Sequence, residues 1–271
     1  MSYGPGGVVS IVFAAGKGSR MTGYNGNKTL LPLIPEASLY SGKRPLLVQV
    51  LENLPYGPKG IVVHHFAAEV KAATASFDPT YIFQPQTNGT GGALLAATSF
   101  LESAAEDQVI VTMGDVPLIR PDTYSLLIEQ LRSHELAVLA FEPRDRAQYG
   151  MLELDEHRVL RITEWKYWKD YASERQQRLR YCNAGVYAAR RPVLLEYMAL
   201  LAKKPHYVQK QWGNKRVTIE EYFLTDLVEL MSDKGLAVGM VAVDEAEVNG
   251  VDTPQALQSV QQQYAKMRAQ P

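Results

Sequence analysis

The run Val8-Val9-Ser10-Ile11-Val12-Phe13-Ala14-Ala15-Gly16-Lys17-Gly18-Ser19-Arg20-Met21 joins an apolar stretch to a basic, glycine-bearing turn. Its apolar part is far short of the roughly 20 residues that a membrane span needs, and its abrupt end at glycine predicts a buried strand, Val8–Ala14. Two glycines let a backbone approach an anion and turn its N–H groups inward, while Lys17 and Arg20 add positive charge. The segment Ala14–Gly18 with Arg20 therefore predicts a phosphate cradle, the alternative being a tight glycine turn with two solvated cations. The dinucleotide fingerprint fails at its last position, where Met21 stands, and no Walker pattern occurs in the chain.

Working outward, short β-branched or aliphatic runs alternate with helical patterns, as βαβ units around a parallel sheet require. Strands are predicted at Val8–Ala14, Gly60–His64, Tyr81–Phe83, Gln108–Met113 and Leu136–Phe141, with helices near Pro45–Leu54, Ala67–Phe77, Gly91–Ala104 and Asp122–His134. After Gly150 the pattern predicts strands at Met151–Leu154, Val159–Thr163 and Tyr181–Ala188, and helices near Arg191–Leu201 and Ile219–Met231. A last strand, Ala237–Val243, precedes a closing helix Pro254–Arg268, with Thr253 as its cap. The fold class is α/β: a Rossmann-like mixed, mostly parallel sheet flanked by helices, with a smaller α+β portion. No Pro/Gly/Ser-rich linker intervenes, so residues 1–271 are expected to form one domain.

The 271 residues carry 28 basic and 29 acidic side chains, a formal net charge of -1, and 46% apolar residues, which describes an ordinary globular chain. No run of Lys/Arg suggests nucleic acid or an anionic membrane as partner. Cys182 is the only cysteine, which excludes an intramolecular disulfide and a thiolate metal cage. The first residues carry no positive charge, and a cytoplasmic location with a small-molecule partner is expected.

In an open α/β sheet the ligand crevice lies outside the carboxyl ends of the strands. Two further loops fall there. Gln84-Pro85-Gln86-Thr87-Asn88-Gly89-Thr90-Gly91-Gly92-Ala93 permits close backbone approach, and Gln84 offers an amide suited to a base edge; the same glycines would equally serve packing at a helix start. Asp115 follows the buried run Val109–Met113 and could bind a hard cation such as Mg²⁺ or cap a turn; Asp252, also after a late strand and close to Gly250, is a second candidate ligand. Lys28 could reach the same cavity. His64 and His65 face opposite ways on a strand, which argues against joint metal ligation.

These segments resemble, in order, the sugar-1-phosphate nucleotidyltransferases, and within them the uridylyltransferases acting on N-acetylglucosamine 1-phosphate. Phe13 to Met21 mirrors L-A-A-G-x-G-T-R-M, Gln84 to Ala93 mirrors Q-x-x-x-x-G-T-G-x-A, and Gly114 to Leu118 mirrors G-D-x-P-L. Tyr149-Gly150 is similar to Y-G, Ile162-Thr163-Glu164 to I-V-E, and Asn183–Val186 to N-T-G-I. Tyr222–Asp226 is similar to Y-Y-x-T-D, and Glu247–Asp252 to E-V-x-G-V-N. The resemblance implies a nucleotide-diphospho-sugar transferase fold whose first half (1–145) binds nucleotide and whose second half (146–271) binds sugar. It implies that Ala14, Ala15, Gly16, Lys17, Gly18 and Arg20 hold an NTP, UTP first, and that Lys28 bridges two phosphates. Gln84, Gly89 and Thr90 would contact the base; Asp115 and Asp252 would bind Mg²⁺; Tyr149, Gly150, Glu164 and Asn183 would position the sugar 1-phosphate.

The resemblance also has departures. Thr22–Asn27 and Glu36–Arg44 are longer than the pattern, Met151 replaces an Arg, Gly92 a His, and Asp252 an Asn. No acetyltransferase half is expected after Pro271. Lys203–Arg216 has no counterpart and could be a lid over the sugar site, a subunit contact or an exposed amphipathic loop. Oligomeric state is not legible. Glucose or mannose 1-phosphate and another NTP stay open as substrates. Rival readings are a catalytically silent nucleotide-sugar sensor, which predicts damaged phosphate or cation machinery, and an NAD-dependent oxidoreductase, which the break at Met21 opposes.

Overall fold

Strand β1 (Val9–Phe13) is buried at all five positions because its two faces serve two different cores. Val9, Ile11 and Phe13 pack into one cluster, and Val12 with the flanking Val8 and Ala14 into the other, as the strand's period of two dictates. A strand apolar on both faces needs cover on both sides, which is the condition for a parallel sheet between helical layers. The computed structural model describes residues 7–146, 149–212 and 215–269.

After β1 come β2 (Pro32–Ser38), β3 (Ser41–Pro45), α1 (Leu46–Asn53), β4 (Lys59–Val63), α2 (Ala67–Thr74), β5 (Thr80–Phe83), α3 (Gly89–Ala96) and α4 (Thr98–Ser103). They are followed by β6 (Gln108–Met113), α5 (Pro121–Gln130), β7 (Leu136–Phe141), β8 (Met151–Asp155), β9 (Arg158–Thr163), α6 (Trp165–Trp168), α7 (Ser173–Arg178) and β10 (Cys182–Arg190). The chain continues through α8 (Arg191–Leu201), β11 (His206–Trp212), β12 (Lys215–Glu221), α9 (Asp226–Asp233), β13 (Val238–Val243) and α10 (Pro254–Ala269).

The main sheet has nine strands in the order β13-β7-β10-β6-β1-β4-β5, with β8 attached to β10 and β9 to β8. Pairing is parallel from β6 through β5 and between β13 and β7, whereas β10 runs antiparallel to both its neighbours. Both halves of the chain thus share one sheet. Register decides the site: Phe13 lies opposite Val62 and Met113, and Val63 opposite Phe83, so Ala14, His64, Gln84 and Gly114 emerge along one edge. Because β10 is reversed, its beginning reaches the same edge, with Asn183 opposite Ala140.

The sequence misjudges three places. The helix predicted over Ile219–Met231 is instead strand β12 through Glu221 and helix α9 from Asp226. Val217-Thr218-Ile219 is a β-branched run that loses side-chain freedom in a helix, and Val208 and Lys210 offer Ile219 and Val217 cross-strand partners. The stretch without counterpart in the resemblance is therefore largely an antiparallel hairpin, β11–β12, whose Gly213 and Asn214 lie outside the described residues. A second hairpin, β2–β3, was not anticipated. Gly91–Ala104 divides into α3 and α4. The closing helix starts as expected, with the Ala256 amide donating to Thr253 Oγ1 at 3.2 Å. Among the described residues no helix is long and apolar enough to cross a membrane.

Candidate active site

The turn after β1 is shaped by one buried amide that the sequence reading passed over. Asn27 donates through Nδ2 to the carbonyl of Ala14 at 2.7 Å and to that of His65 at 3.0 Å. Its Oδ1 accepts from the backbone of Thr29 at 3.0 Å and from the Thr29 hydroxyl at 2.8 Å. One side chain thereby ties two strand ends together and caps the short turn that presents Lys28. Gly18, with φ of +62°, makes the adjoining bend, and a side chain there would crowd Lys28. A Cβ on Gly16 would meet nothing within 4 Å, so that peptide borders open space.

Lys28 is the centre of the site. Its ammonium is ion-paired with both Asp115 and Asp252, and Arg20 pairs with the second oxygen of Asp252 at 2.8 Å. Burial lowers the Lys28 pKa, but the two carboxylates outweigh it and hold the ammonium above the ordinary lysine range. Asp115 is delivered by the end of β6, where the Gly114 amide donates to the Phe13 carbonyl at 2.9 Å. Asp252 arrives from the far end of the chain by a direct backbone link, the Val251 amide donating to the Asp115 carbonyl at 3.0 Å. Glu247 secures that link. Its buried carboxylate accepts from the Arg120 amide at 3.0 Å, from Arg120 Nε at 3.1 Å and from the Thr123 hydroxyl.

Beside this cluster lies a cavity of about 280 Å³ lined by Ala14, Ala15, Gly16, Lys28, Gln84, Gly89, Thr90 and Asp115, together with Thr29 and Met113. Lys17 is exposed and does not line it. Gln84 is buried, its amide donating to Asn88 Oδ1 at 3.1 Å and to the Gly89 carbonyl at 3.4 Å, so it also braces the glycine turn. His64 donates through Nδ1 to the Gln84 carbonyl at 2.6 Å. The glycines serve a close approach of protein backbone. Gly89 has φ of +94°, a Cβ there or on Gly91 would strike the Tyr222 peptide, and the Gly91 amide donates to the Tyr222 carbonyl at 2.8 Å.

The four residues expected to hold the sugar form a second group. The Asn183 amide donates to the Gly150 carbonyl at 2.9 Å, and Asn183 Oδ1 accepts from the Gly185 amide at 2.9 Å, which stabilises the bulge in β10. A Cβ on Gly150 would lie 3.6 Å from both Glu164 carboxylate oxygens. Burial pushes the Glu164 carboxyl up, against a 3.3 Å hydrogen bond from Thr225 and the nearby charge of Lys166. Tyr149 packs edge-on against Phe141, ring centroids 5.2 Å apart. Burial raises its phenol, on which Asp252 and Arg20 also act with opposite signs, so the two groups of residues share an electrostatic environment.

Two segments join the groups, and neither was singled out for that role from sequence. Gly185 packs on Met113, a residue of the first cavity. Tyr222–Asp226 grips the glycine turn at one end, where the Leu224 amide donates to Thr90 Oγ1 at 3.2 Å, and Glu164 at the other through Thr225. Beyond Glu164 opens a chamber of about 650 Å³ whose walls include Lys166, Phe223, Thr225, Asp226 and His206 of the β11–β12 hairpin.

The chain is similar to known proteins in sequence and in fold. A family model described as the MobA-like NTP transferase domain matches residues 10–209. The bifunctional protein GlmU of Ruegeria pomeroyi is 33% identical over 248 residues, which are 90% of this chain and 49% of that protein. That of Cereibacter sphaeroides is 32% identical over 261 residues, 94% of this chain and 52% of that one. The chain thus spans about half the length of the curated relatives it matches. Among solved structures, CMP:2-keto-3-deoxy-manno-octonic acid synthetase complexed with CTP superposes with TM-score 0.63 at 16% identity, covering 96% of this chain and 98% of that one. A structure assigned as a glucose-1-phosphate thymidylyltransferase from Bacillus anthracis, in complex with a sucrose, gives TM-score 0.68 at 17% identity and 95% coverage of each chain; both likenesses concern the fold. With a family match extending over well more than half its length, the chain belongs to the MobA-like NTP transferase domain family and is a nucleotidyltransferase.

Proposed function

We propose that the chain transfers a nucleotidyl group from an NTP, UTP in the first instance, to a sugar 1-phosphate, N-acetylglucosamine 1-phosphate in the first instance, releasing pyrophosphate. The carrying observation is the meeting of Lys28 with Asp115 and Asp252 at the mouth of a glycine-lined cavity. In this reading the 1-phosphate oxygen of the sugar attacks the α-phosphorus; a new P–O bond forms as the α–β anhydride bond breaks, and pyrophosphate departs with the bonding pair. Such a transfer chiefly needs in-line placement and positive charge around the phosphates.

Each residue has a part in that scheme. The amides of Ala14–Gly18 and the Arg20 guanidinium hold the triphosphate. Lys28 is placed to exchange its carboxylate partners for oxygens of the α-phosphate and the sugar phosphate. Gln84, Gly89 and Thr90 border the base, while Gly150, Glu164, Asn183 and Tyr149 position the sugar. The donor set also fits Mg²⁺: two carboxylates converge on one cationic centre, the Lys28 ammonium, so positive charge is favoured at that spot. Among the described residues no cluster of three or more His, Cys, Asp or Glu could hold a metal, so Asp115 and Asp252 would leave the remaining positions to phosphate oxygens and water, as Mg²⁺ accepts. When bound, Mg²⁺ supplies charge neutralisation on the phosphates.

The test is pyrophosphate release across four NTPs and a panel of sugar 1-phosphates that includes N-acetylglucosamine, glucose and mannose. Release with UTP and N-acetylglucosamine 1-phosphate above the other pairs is expected. Release with another pair reassigns the substrates, and none with any pair defeats the activity.

A further inference from the structure

The hairpin β11–β12 meets the chamber behind Glu164 through one side chain. His206, its first residue, lies in that wall, with Nε2 2.7 Å from Asp226 Oδ2 and its ring centroid 4.7 Å from that of Phe223. Asp226 follows Thr225, whose hydroxyl donates to Glu164. Two carboxylates therefore flank one short segment, and Asp226 repels charge on Glu164 across it. Thr225 faces Glu164 while the next side chain, Asp226, is held by His206. His206 supplies that hold from an element with no counterpart in the family pattern quoted above.

From this geometry we infer that His206 is a positioning residue for the sugar, acting through Asp226 and Thr225 on Glu164, and that β11–β12 is a working wall of the sugar pocket. This rests on the reading of Glu164 as a sugar contact. The chamber's charges sharpen the ligand class. Glu164, Asp170, Asp226 and Glu229 oppose Arg161 and Lys166, and Arg161 is already paired with Glu229 at 3.2 Å. A wall with more acid than base favours sugar 1-phosphates whose ring substituents are neutral or amino-bearing over those carrying a ring carboxylate.

The test uses His206→Ala and His206→Gln, the second keeping an N–H donor. Binding of N-acetylglucosamine 1-phosphate is measured by calorimetry, and KM for each substrate by pyrophosphate release, with thermal melting as a check on folding. His206→Ala is expected to weaken sugar phosphate binding about tenfold and raise its KM similarly, with KM for the NTP within about twofold, and His206→Gln to restore most of the loss. Glucuronic acid 1-phosphate is expected to bind more weakly than glucose 1-phosphate to the unaltered chain. Unchanged sugar phosphate affinity in a folded His206→Ala, or equal loss for both substrates, overturns the inference. If His206→Ala does not fold, His206→Phe carries the test, keeping an aromatic ring without an N–H donor: a folded Phe variant is expected to lose about tenfold in sugar phosphate affinity, and affinity within about twofold of the unaltered chain overturns the inference. Sugar phosphate binding that depends on His206 in a chain that releases no pyrophosphate would sustain the inference and refute the transfer activity.

Discussion

Lys28 is a cation compressed between two acids, and each of the three side chains is intelligible only through the others. Removing the cation leaves two carboxylates converging without compensation, so Lys28→Met is expected to destabilise the chain by about 1–3 kcal/mol, less than for a sealed pair because the Asp252 side chain is 39% exposed. Melting in metal-free buffer checks this, and millimolar Mg²⁺ is expected to restore more stability to the variant than it adds to the unaltered chain. Asp252→Asn keeps an oxygen ligand and is expected to raise the Mg²⁺ concentration for half-maximal rate, with a smaller loss of turnover than Asp115→Asn. Glu164 gives a prediction of opposite sign for stability and function. Its folded carboxyl is raised above the ordinary value by burial, so its stabilising contribution is full below the unfolded pKa and is lost as pH rises through the folded one. Above that folded value the buried charge is a cost. Glu164→Gln is therefore expected to melt higher than the unaltered chain near pH 7 and no higher in acid, while raising KM for the sugar phosphate severalfold.

At the scale of elements, the glycine turn before α3 shows how far a sequence can be read. Glycines at 89 and 91 announce a close backbone approach, but their partner, the Tyr222 peptide, is more than a hundred residues away, and the Tyr222–Asp226 block does not announce that it meets them. Gly89→Ala combines a positive φ with a collision against backbone and is expected to cost about 1–3 kcal/mol in melting experiments and to weaken both substrates together. The central strands were legible because apolar runs bounded by Gly, Pro and Asp have one good solution. The hairpin β11–β12 was not, because Ile219 joins by spacing to the apolar face of α9, and only cross-strand pairing with β11 reveals its true partner. The role of Asn27, and that of Glu247 within its quoted block, escaped for a related reason. Each is an ordinary polar residue whose importance comes from burial, which composition does not display.

For the whole molecule, strands from both halves of the chain interleave in one sheet, and this carries Asp252 from the end of the fold back to the first loop. The conjunction of Asp115 and Asp252 was an expectation from their places after strands and from the resemblance; the 3.0 Å bond between Val251 and the Asp115 carbonyl gives it a structural cause. Substrate choice was less legible, since the inferred sugar pocket borders β11–β12, for which the family pattern has no counterpart. The central claim is that these two carboxylates, with Lys28, form a cation-dependent centre for nucleotidyl transfer. It is tested most directly by titrating Mg²⁺ into the pyrophosphate-release assay for the unaltered chain and for Asp115→Asn. The account predicts saturable Mg²⁺ dependence in the first and a rate at least on the order of 100-fold lower in a variant that still folds. A near-normal rate in Asp115→Asn, or full activity of the unaltered chain with a chelator present, would contradict it.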